Sequence, residues 1–219
     1  DYYEHYTFII IWLLFMTGLR LGEAQALEWT DIDFENKTLT VSKSMYYKSA
    51  NEFYVTEPKT RAGNRTIALD DVTIQYLTEW KSVQGKNVFS KYVLSYNGLP
   101  TNKSTTKHII ERHSKLAGVH TIKTHALRHS HASLLISLGE NAIVVRDRLG
   151  HEDVETTLGT YGHLYPNTNK EVAKKLNNLI SVQKDDTIKR NFISNQFVKN
   201  RQSGCNNISL DCEEKEWDS

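Results

Sequence analysis

Two arginines, a lysine, two histidines and a tyrosine stand along this 219-residue chain in an order that suits phosphoryl transfer without a metal. Arg20 lies in Thr17-Gly18-Leu19-Arg20-Leu21-Gly22-Glu23, on a tight link between two apolar segments. Glycines on both sides let a phosphate or a backbone approach closely. Glu23 falls near a helix start, where its charge is favoured and where it could orient Arg20. Lys59 stands in Glu57-Pro58-Lys59-Thr60-Arg61-Ala62-Gly63-Asn64-Arg65, a segment that reads as a hairpin with a basic tip. A lysine whose surroundings lower its pKa can hand over a proton. His125 and Arg128 are three apart in His125-Ala126-Leu127-Arg128-His129-Ser130-His131, so a helix puts them on one face. One can move a proton near neutral pH and the other offers a planar fork of donors. His151 follows Leu149-Gly150, and Tyr161 comes about two turns into the next helix. A tyrosine is a weak nucleophile until it is deprotonated and aimed. The charge that gathers on the phosphate needs fixed cations, and the leaving alkoxide needs an acid.

Each segment also has a plainer reading. Arg20 and Glu23 could be a surface ion pair at a helix corner. A basic hairpin is common on any surface. Val154, Leu158, Tyr161 and Tyr165 follow helical spacing, which fits a core aromatic at 161. His125, His129 and His131 could be metal ligands, but His131 points away from the other two and no nearby Asp, Glu or Cys completes a tetrahedral set. For His129 and His131 a place in the apolar stripe with Ala132, Leu134, Leu135 and Leu138 is the preferred reading. Neither a phosphate loop ending in Gly-Lys-Ser/Thr nor a carboxylate cluster suited to magnesium occurs, so no cofactor or metal is expected.

The elements that must carry these residues can be read from periodicity. Helices are expected at about Tyr6 to Thr17, closed by Gly18, and at Gly22 to Leu27. Lys37 to Ser42 alternates with period two, and Asn51 to Pro58 and Arg65 to Leu69 are strand-like, joined by turn residues Thr60 to Asn64. Helices then follow at about Asp71 to Val83, Lys103 to Ala117, Ala126 to Leu138, Asn141 to Leu149, Val154 to His163 and Asn169 to Val182. The fold class is therefore mainly α with a small antiparallel β-sheet, an α+β protein. Beyond Lys184 the chain turns polar and acidic and reads as a tail.

Composition narrows the partners. The formal net charge is only +1, little for a nucleic-acid binder. Between Thr101 and His131, however, six lysines and arginines face one glutamate, a local basic face of the kind phosphates need. The apolar run from Phe8 to Met16 is about half the roughly 20 residues of a membrane span, so a core helix is expected there. Two cysteines, Cys205 and Cys212, outside any metal spacing, fit a reducing cytoplasm without a disulfide framework. The chain opens inside an apolar pattern at Asp1, as a piece cut from a longer protein would.

The order arginine, lysine, His-x-x-Arg, Leu-Gly-His and Thr-Tyr-x-His, from about Phe8 to Pro166, resembles the tyrosine recombinase (phage integrase) family. The mild departure is Ala126, where many relatives carry an acidic residue. The resemblance implies the tyrosine recombinase catalytic-domain fold, a DNA breaking-rejoining enzyme, over residues 1–183. It implies N-terminal DNA-binding domains outside this chain and a tail at 184–219, flexible or docked on a partner subunit. By the same resemblance Arg20 and Arg128 clamp the scissile phosphate and Glu23 supports the first of them. Lys59 protonates the departing 5′ oxygen, His125 helps move the tyrosine proton, His151 bonds a phosphate oxygen, and Tyr161, rather than Tyr165, forms the 3′-phosphotyrosine link. Arg61, Arg65, Lys103, Lys107 and Lys123 are candidate DNA contacts. The expected activity is integration or excision of a mobile element by a site-specific recombinase. The expected partners are double-stranded DNA attachment sites, a tetramer of the protein itself, a directionality factor and a host DNA-bending protein. The alternatives are a type IB topoisomerase-like or hairpin-resolving enzyme, and a catalytically silent DNA-binding remnant.

Overall fold

A computed structural model of the chain describes residues 1–49, 52–58 and 60–165, together with 173, 174 and 176. The opening apolar run forms α1 (Tyr2–Thr17), capped by the Asp1 carboxylate on the Tyr3 amide. Ile9, Ile10, Leu13 and Leu14 are buried along it. The helix starts a turn earlier than apolar spacing alone suggests. It stops at Gly18, whose φ of +65° is left-handed. A Cβ at Gly18 would stand 2.6 Å from the His131 ring and 2.9 Å from Leu149, so glycine is required twice over: by its dihedral and by the approach of two later helices.

After Gly18 come α2 (Leu21–Ala26) and a 3-10 turn at Trp29–Asp31. The sheet region then differs from the expected hairpin. β1 (Ile32–Asp33), β2 (Thr38–Val41) and β5 (Arg65–Ala68) form one antiparallel sheet in the order β1-β2-β5, with Val41 opposite Arg65. β3 (Ser44–Tyr47) and β4 (Phe53–Thr56) form a second, two-stranded ladder. β4 and β5, read from the sequence as partners, do not pair with each other. The reason is that β3 supplies β4 with a nearer partner, and its four residues Ser44-Met45-Tyr46-Tyr47 are too few for a period-two search to find.

The remaining helices are α3 (Asp71–Asn87), α4 (Lys103–Leu116), α5 (Thr124–Ser137), α6 (Ala142–Leu149) and α7 (Val154–Tyr161), with a 3-10 turn at Gly162–Leu164. Asp70, Asn102, Asn141 and Asp153 cap α3, α4, α6 and α7 through their side chains. The main core gathers α1, α2, α3, α4 and the β2–β5 sheet, with Trp80 fully buried and its indole donating to the Val93 carbonyl at 2.8 Å. A smaller core joins α5, α6 and α7 through Ala132, Ile136, Val145, Leu149 and the ring of Tyr161. Asp1–Pro166 make one compact unit. The expected helix at Asn169 to Val182, the boundary at 183 and the tail at 184–219 lie outside the described residues.

Candidate active site

The site is built on the carboxyl end of α6. A helix leaves its last carbonyls without partners inside the helix, at the negative end of its dipole. Here three successive carbonyls each receive a guanidinium from a different part of the chain. Arg65 Nε donates to the Arg148 carbonyl at 2.9 Å, Arg128 Nη2 to that of Leu149 at 2.8 Å, and Arg20 Nη2 to that of Gly150 at 3.0 Å. Arg128 also donates from Nη1 to the Gly18 carbonyl at 2.6 Å, which fixes the first helix corner against the last.

Glu23 binds two of the three arginines. Its carboxylate meets Arg20 Nη1 at 2.8 Å and Arg65 Nη2 at 2.9 Å, and caps the Arg20 amide at 2.9 Å. Burial pushes the Glu23 carboxyl up, but hydrogen bonds and charge from Arg65 and Arg20 outweigh it and hold the group below the usual carboxylate range. One buried anion among three cations leaves the pocket positive. Burial, then the neighbouring Arg20, brings Arg128 down to about 10, so it keeps its charge at neutral pH.

The histidines and the tyrosine close the site. Tyr161 is 4% exposed, its ring in the smaller core, while its hydroxyl lies 2.7 Å from His129 Nδ1. The rings of His129 and His125 meet edge to face, 4.7 Å between centroids. Burial raises the Tyr161 phenol above its ordinary value, and the charge of Arg128 pulls it back. Burial, then His129, Arg128 and Arg20, lowers His125. His151 sits in the link from α6 to α7, with Nδ1 2.9 Å from Thr157 Oγ1. Burial and the field of Arg128, Arg20 and Arg65 bring it down to about 4, so the ring is neutral at working pH.

Arg20, Glu23, Arg128 and His151 therefore meet around the Leu149–Gly150 turn, with His125 and Tyr161 on the Arg128 side. Lys59 lies outside the described residues. Its neighbours Pro58, Thr60 and Arg61 border a cavity of about 670 Å³ with Ser42, Glu57 and Asn64. Lys103, Lys107 and Lys123 rim another, of about 650 Å³, whose floor includes Leu14, Leu19 and Ile122 and whose wall includes His125. That is the basic face of the Thr101–His131 stretch.

Two readings need correction. Arg65 is not a free DNA contact, because its side chain is 7% exposed and spends its donors on Glu23, Gly63 and Arg148. Its phase on β5 signals this: Arg65, Ile67 and Leu69 alternate on the inward side while Thr66 and Ala68 are exposed. His129 is not a core histidine either; it is exposed and holds the phenol. Its spacing of four from His125 is the signal that was available. His131 does belong to the interior, 3% exposed, and takes Arg148 Nε on its Nε2 at 3.1 Å. That bond removes it from any metal set with His125 and His129, and among the described residues no three His, Cys, Asp or Glu stand close enough to hold a metal. None of the described helices is long and apolar enough to cross a membrane.

The chain is similar to known integrases and recombinases. The ICEBs1 integrase of Bacillus subtilis is 38% identical, over 76% of this chain and 47% of that protein. A XerC-like tyrosine recombinase of Caldanaerobacter subterraneus is 30% identical, over 76% of this chain and 48% of that protein. The chain thus spans about half the length of these curated relatives. A solved structure of the Tn1549 transposon integrase, in complex with a circular intermediate DNA, superposes with a TM-score of 0.65 at 25% identity, covering 81% of this chain and 59% of the other. The fold is that of a tyrosine recombinase catalytic domain. The family model described as "Phage integrase family" matches residues 2–168, and the chain belongs to that family.

Proposed function

We propose that this chain is the catalytic part of a site-specific DNA recombinase that cuts and rejoins DNA through a 3′-phosphotyrosine intermediate, integrating or excising a mobile element. What carries the reading is the set of arginines seated on three successive carbonyls beside the Tyr161 phenol. Arg20 and Arg128 keep undonated guanidinium hydrogens for the non-bridging oxygens of a phosphodiester. His151, neutral and hydrogen-bonded at Nδ1, has Nε2 left for a third oxygen contact. Tyr161 Oη attacks phosphorus, and its proton leaves through the adjacent histidines, His125 in the lead role. The bond from phosphorus to the 5′ oxygen breaks, and Lys59 gives that oxygen a proton. A 5′ hydroxyl of the exchanged strand then reverses the step. Phosphodiester energy is held in the tyrosine link, so ATP and metal have no part in the scheme.

The partners follow from the same reading. Attachment-site DNA lies across the rim of Lys103, Lys107 and Lys123 and the loop of Arg61. Strand exchange takes a tetramer on paired sites, assisted by a directionality factor and a host DNA-bending protein, in the bacterial cytoplasm at the nucleoid. Recombinases of known structure that contain DNA, the Tn1549 integrase and XerH, give the DNA contact its support. A nicked attachment site that releases the 5′ fragment tests the chemistry, because the protein then stays covalently bound. The adduct is expected to form with the native chain, to survive a chelator, and to vanish in Tyr161→Phe. An adduct that persists in that variant, moved to Tyr165 or elsewhere, would refute the assignment. Strand exchange between two sites, measured beside supercoil relaxation, separates a recombinase from a topoisomerase.

A further inference from the structure

Threonines inside helices usually return their hydroxyl to a carbonyl of the preceding turn. Thr7, Thr17, Thr78, Thr106 and Thr160 do so here, donating to Glu4, Leu13, Ile74, Asn102 and Thr156 respectively. In α7, Thr156 gives its hydroxyl to the cap Asp153 at 2.9 Å. Thr157 does neither. It is fully buried, and its Oγ1 faces His151 Nδ1 at 2.9 Å, with no other hydrogen-bond partner among the described residues.

We propose that Thr157 is a positioning residue for His151, donating its hydroxyl hydrogen to Nδ1 and so fixing the imidazole as the tautomer whose proton is on Nε2. The proposal rests on the recombinase reading for its use but not for its chemistry. The hydroxyl has one hydrogen to place in a buried site. If Nδ1 donated to Oγ1 instead, that hydrogen would be left unpaired, which native interiors avoid. The tautomer matters because the ring has a single hydrogen. The charges of Arg128, Arg20 and Arg65 oppose a second proton on it, against the weaker pull of Asp153. A neutral imidazole protonated on Nδ1 would present a lone pair at Nε2 and repel a phosphate oxygen; protonated on Nε2 it donates to one. Thr157 also lies one turn before Tyr161 on the same face of α7. A single helix thus sets both the histidine's donor and the nucleophile.

The test is the tautomer itself, read by long-range proton–nitrogen correlation on the 219-residue chain with ¹⁵N-labelled histidine, the His151 signals identified by their loss in His151→Gln. The native protein is expected to hold the proton on Nε2. Thr157→Ser keeps that state, and Thr157→Val, equal in shape but without the hydroxyl, gives a mixture of tautomers. In the nicked-site assay Thr157→Val is expected to slow single-turnover cleavage about tenfold, the worth of one hydrogen bond, at unchanged DNA affinity, with Thr157→Ser restoring the rate. A native His151 protonated on Nδ1, or a valine variant with the native tautomer and the native rate, overturns the proposal. Should Thr157→Val fail to fold, the native spectrum and the serine variant decide alone. Absence of any covalent adduct with the native protein would defeat the recombinase reading and leave the tautomer result standing.

Discussion

The Tyr161 phenol has two neighbours of opposite effect. Its ring is in the core with Ala132, Ile136 and Leu149, and burial there disfavours the phenolate. Its oxygen lies 2.7 Å from His129 and within the field of Arg128. A phenol hydroxyl closed in on its ring side needs a partner, and an unpaired one costs about 1–3 kcal/mol. His129 supplies that partner and holds the oxygen on the side of the arginines. We therefore predict that His129→Ala slows single-turnover cleavage about tenfold without changing DNA affinity. His129→Asn, whose side-chain polar atoms stand near the place of Nδ1, should recover part of the rate, while His129→Leu should not. Equal rates for all four proteins in the nicked-site assay would reduce the contact to packing.

At the scale of elements, the α6 carboxyl terminus decides where the cations go, and Gly150 is the residue that shapes it. Its φ of +70° is left-handed, and a Cβ there would stand 2.7 Å from Arg65 Nη1 and 2.8 Å from the Ala62 carbonyl. A left-handed alanine costs about 1–2 kcal/mol by itself. The clash must also move Arg65, hence Glu23 and Arg20. Gly150→Ala is thus expected to lower the urea midpoint modestly and to reduce cleavage by a much larger factor, with His151 displaced along with the turn. A variant of native activity would mean that the turn does not hold the arginines. This element was partly legible in the sequence: Gly150 after Leu149 marked a helix end, α4, α5 and α6 follow their apolar spacing, and Asn102 and Asn141 cap α4 and α6. What was not legible is non-local. That β5 pairs with β2, 24 residues apart at Val41 and Arg65, and not with the adjacent β4, depends on tertiary packing. So does the inward turn of Arg65, which in a basic loop looks like any surface arginine until its phase with Ile67 is noticed. That Arg20, Arg128, His151 and Tyr161 belong to one site was approachable through order and resemblance; the carbonyl ladder that holds the arginines leaves no trace in side-chain type, since backbone atoms form it.

For the molecule as a whole, the same burial that shapes the site makes its stability depend on pH. His131 is enclosed between α1 and α6, beside Gly18, with Arg148 donating to its Nε2. Burial, then the charge of Arg148, brings it down to about 4. The unfolded chain takes up this proton near pH 6.5, and the folded protein declines it until about pH 4. More protons are then bound by the unfolded state across that window, so the contribution is complete above about pH 6.5 and is lost as pH falls toward 4. At about 1.4 kcal/mol per unit, His131 is worth about 3 kcal/mol over the full window. His151, brought down to about 4, and His125, lowered by burial and then by His129, lose their contributions in the same direction. Glu23 and Asp70, both held below the usual carboxylate range, add their loss only at lower pH, as they begin to protonate. The interval between about pH 6.5 and 5 therefore reports the histidines. Urea unfolding across it should give a falling free energy for the native chain and a shallower fall for His131→Asn, whose amide can accept from Arg148 without taking a proton. A slope unchanged in that variant would mean that His131 protonates inside the fold as readily as outside it, and that the half-buried Arg148 beside it exerts no effective field.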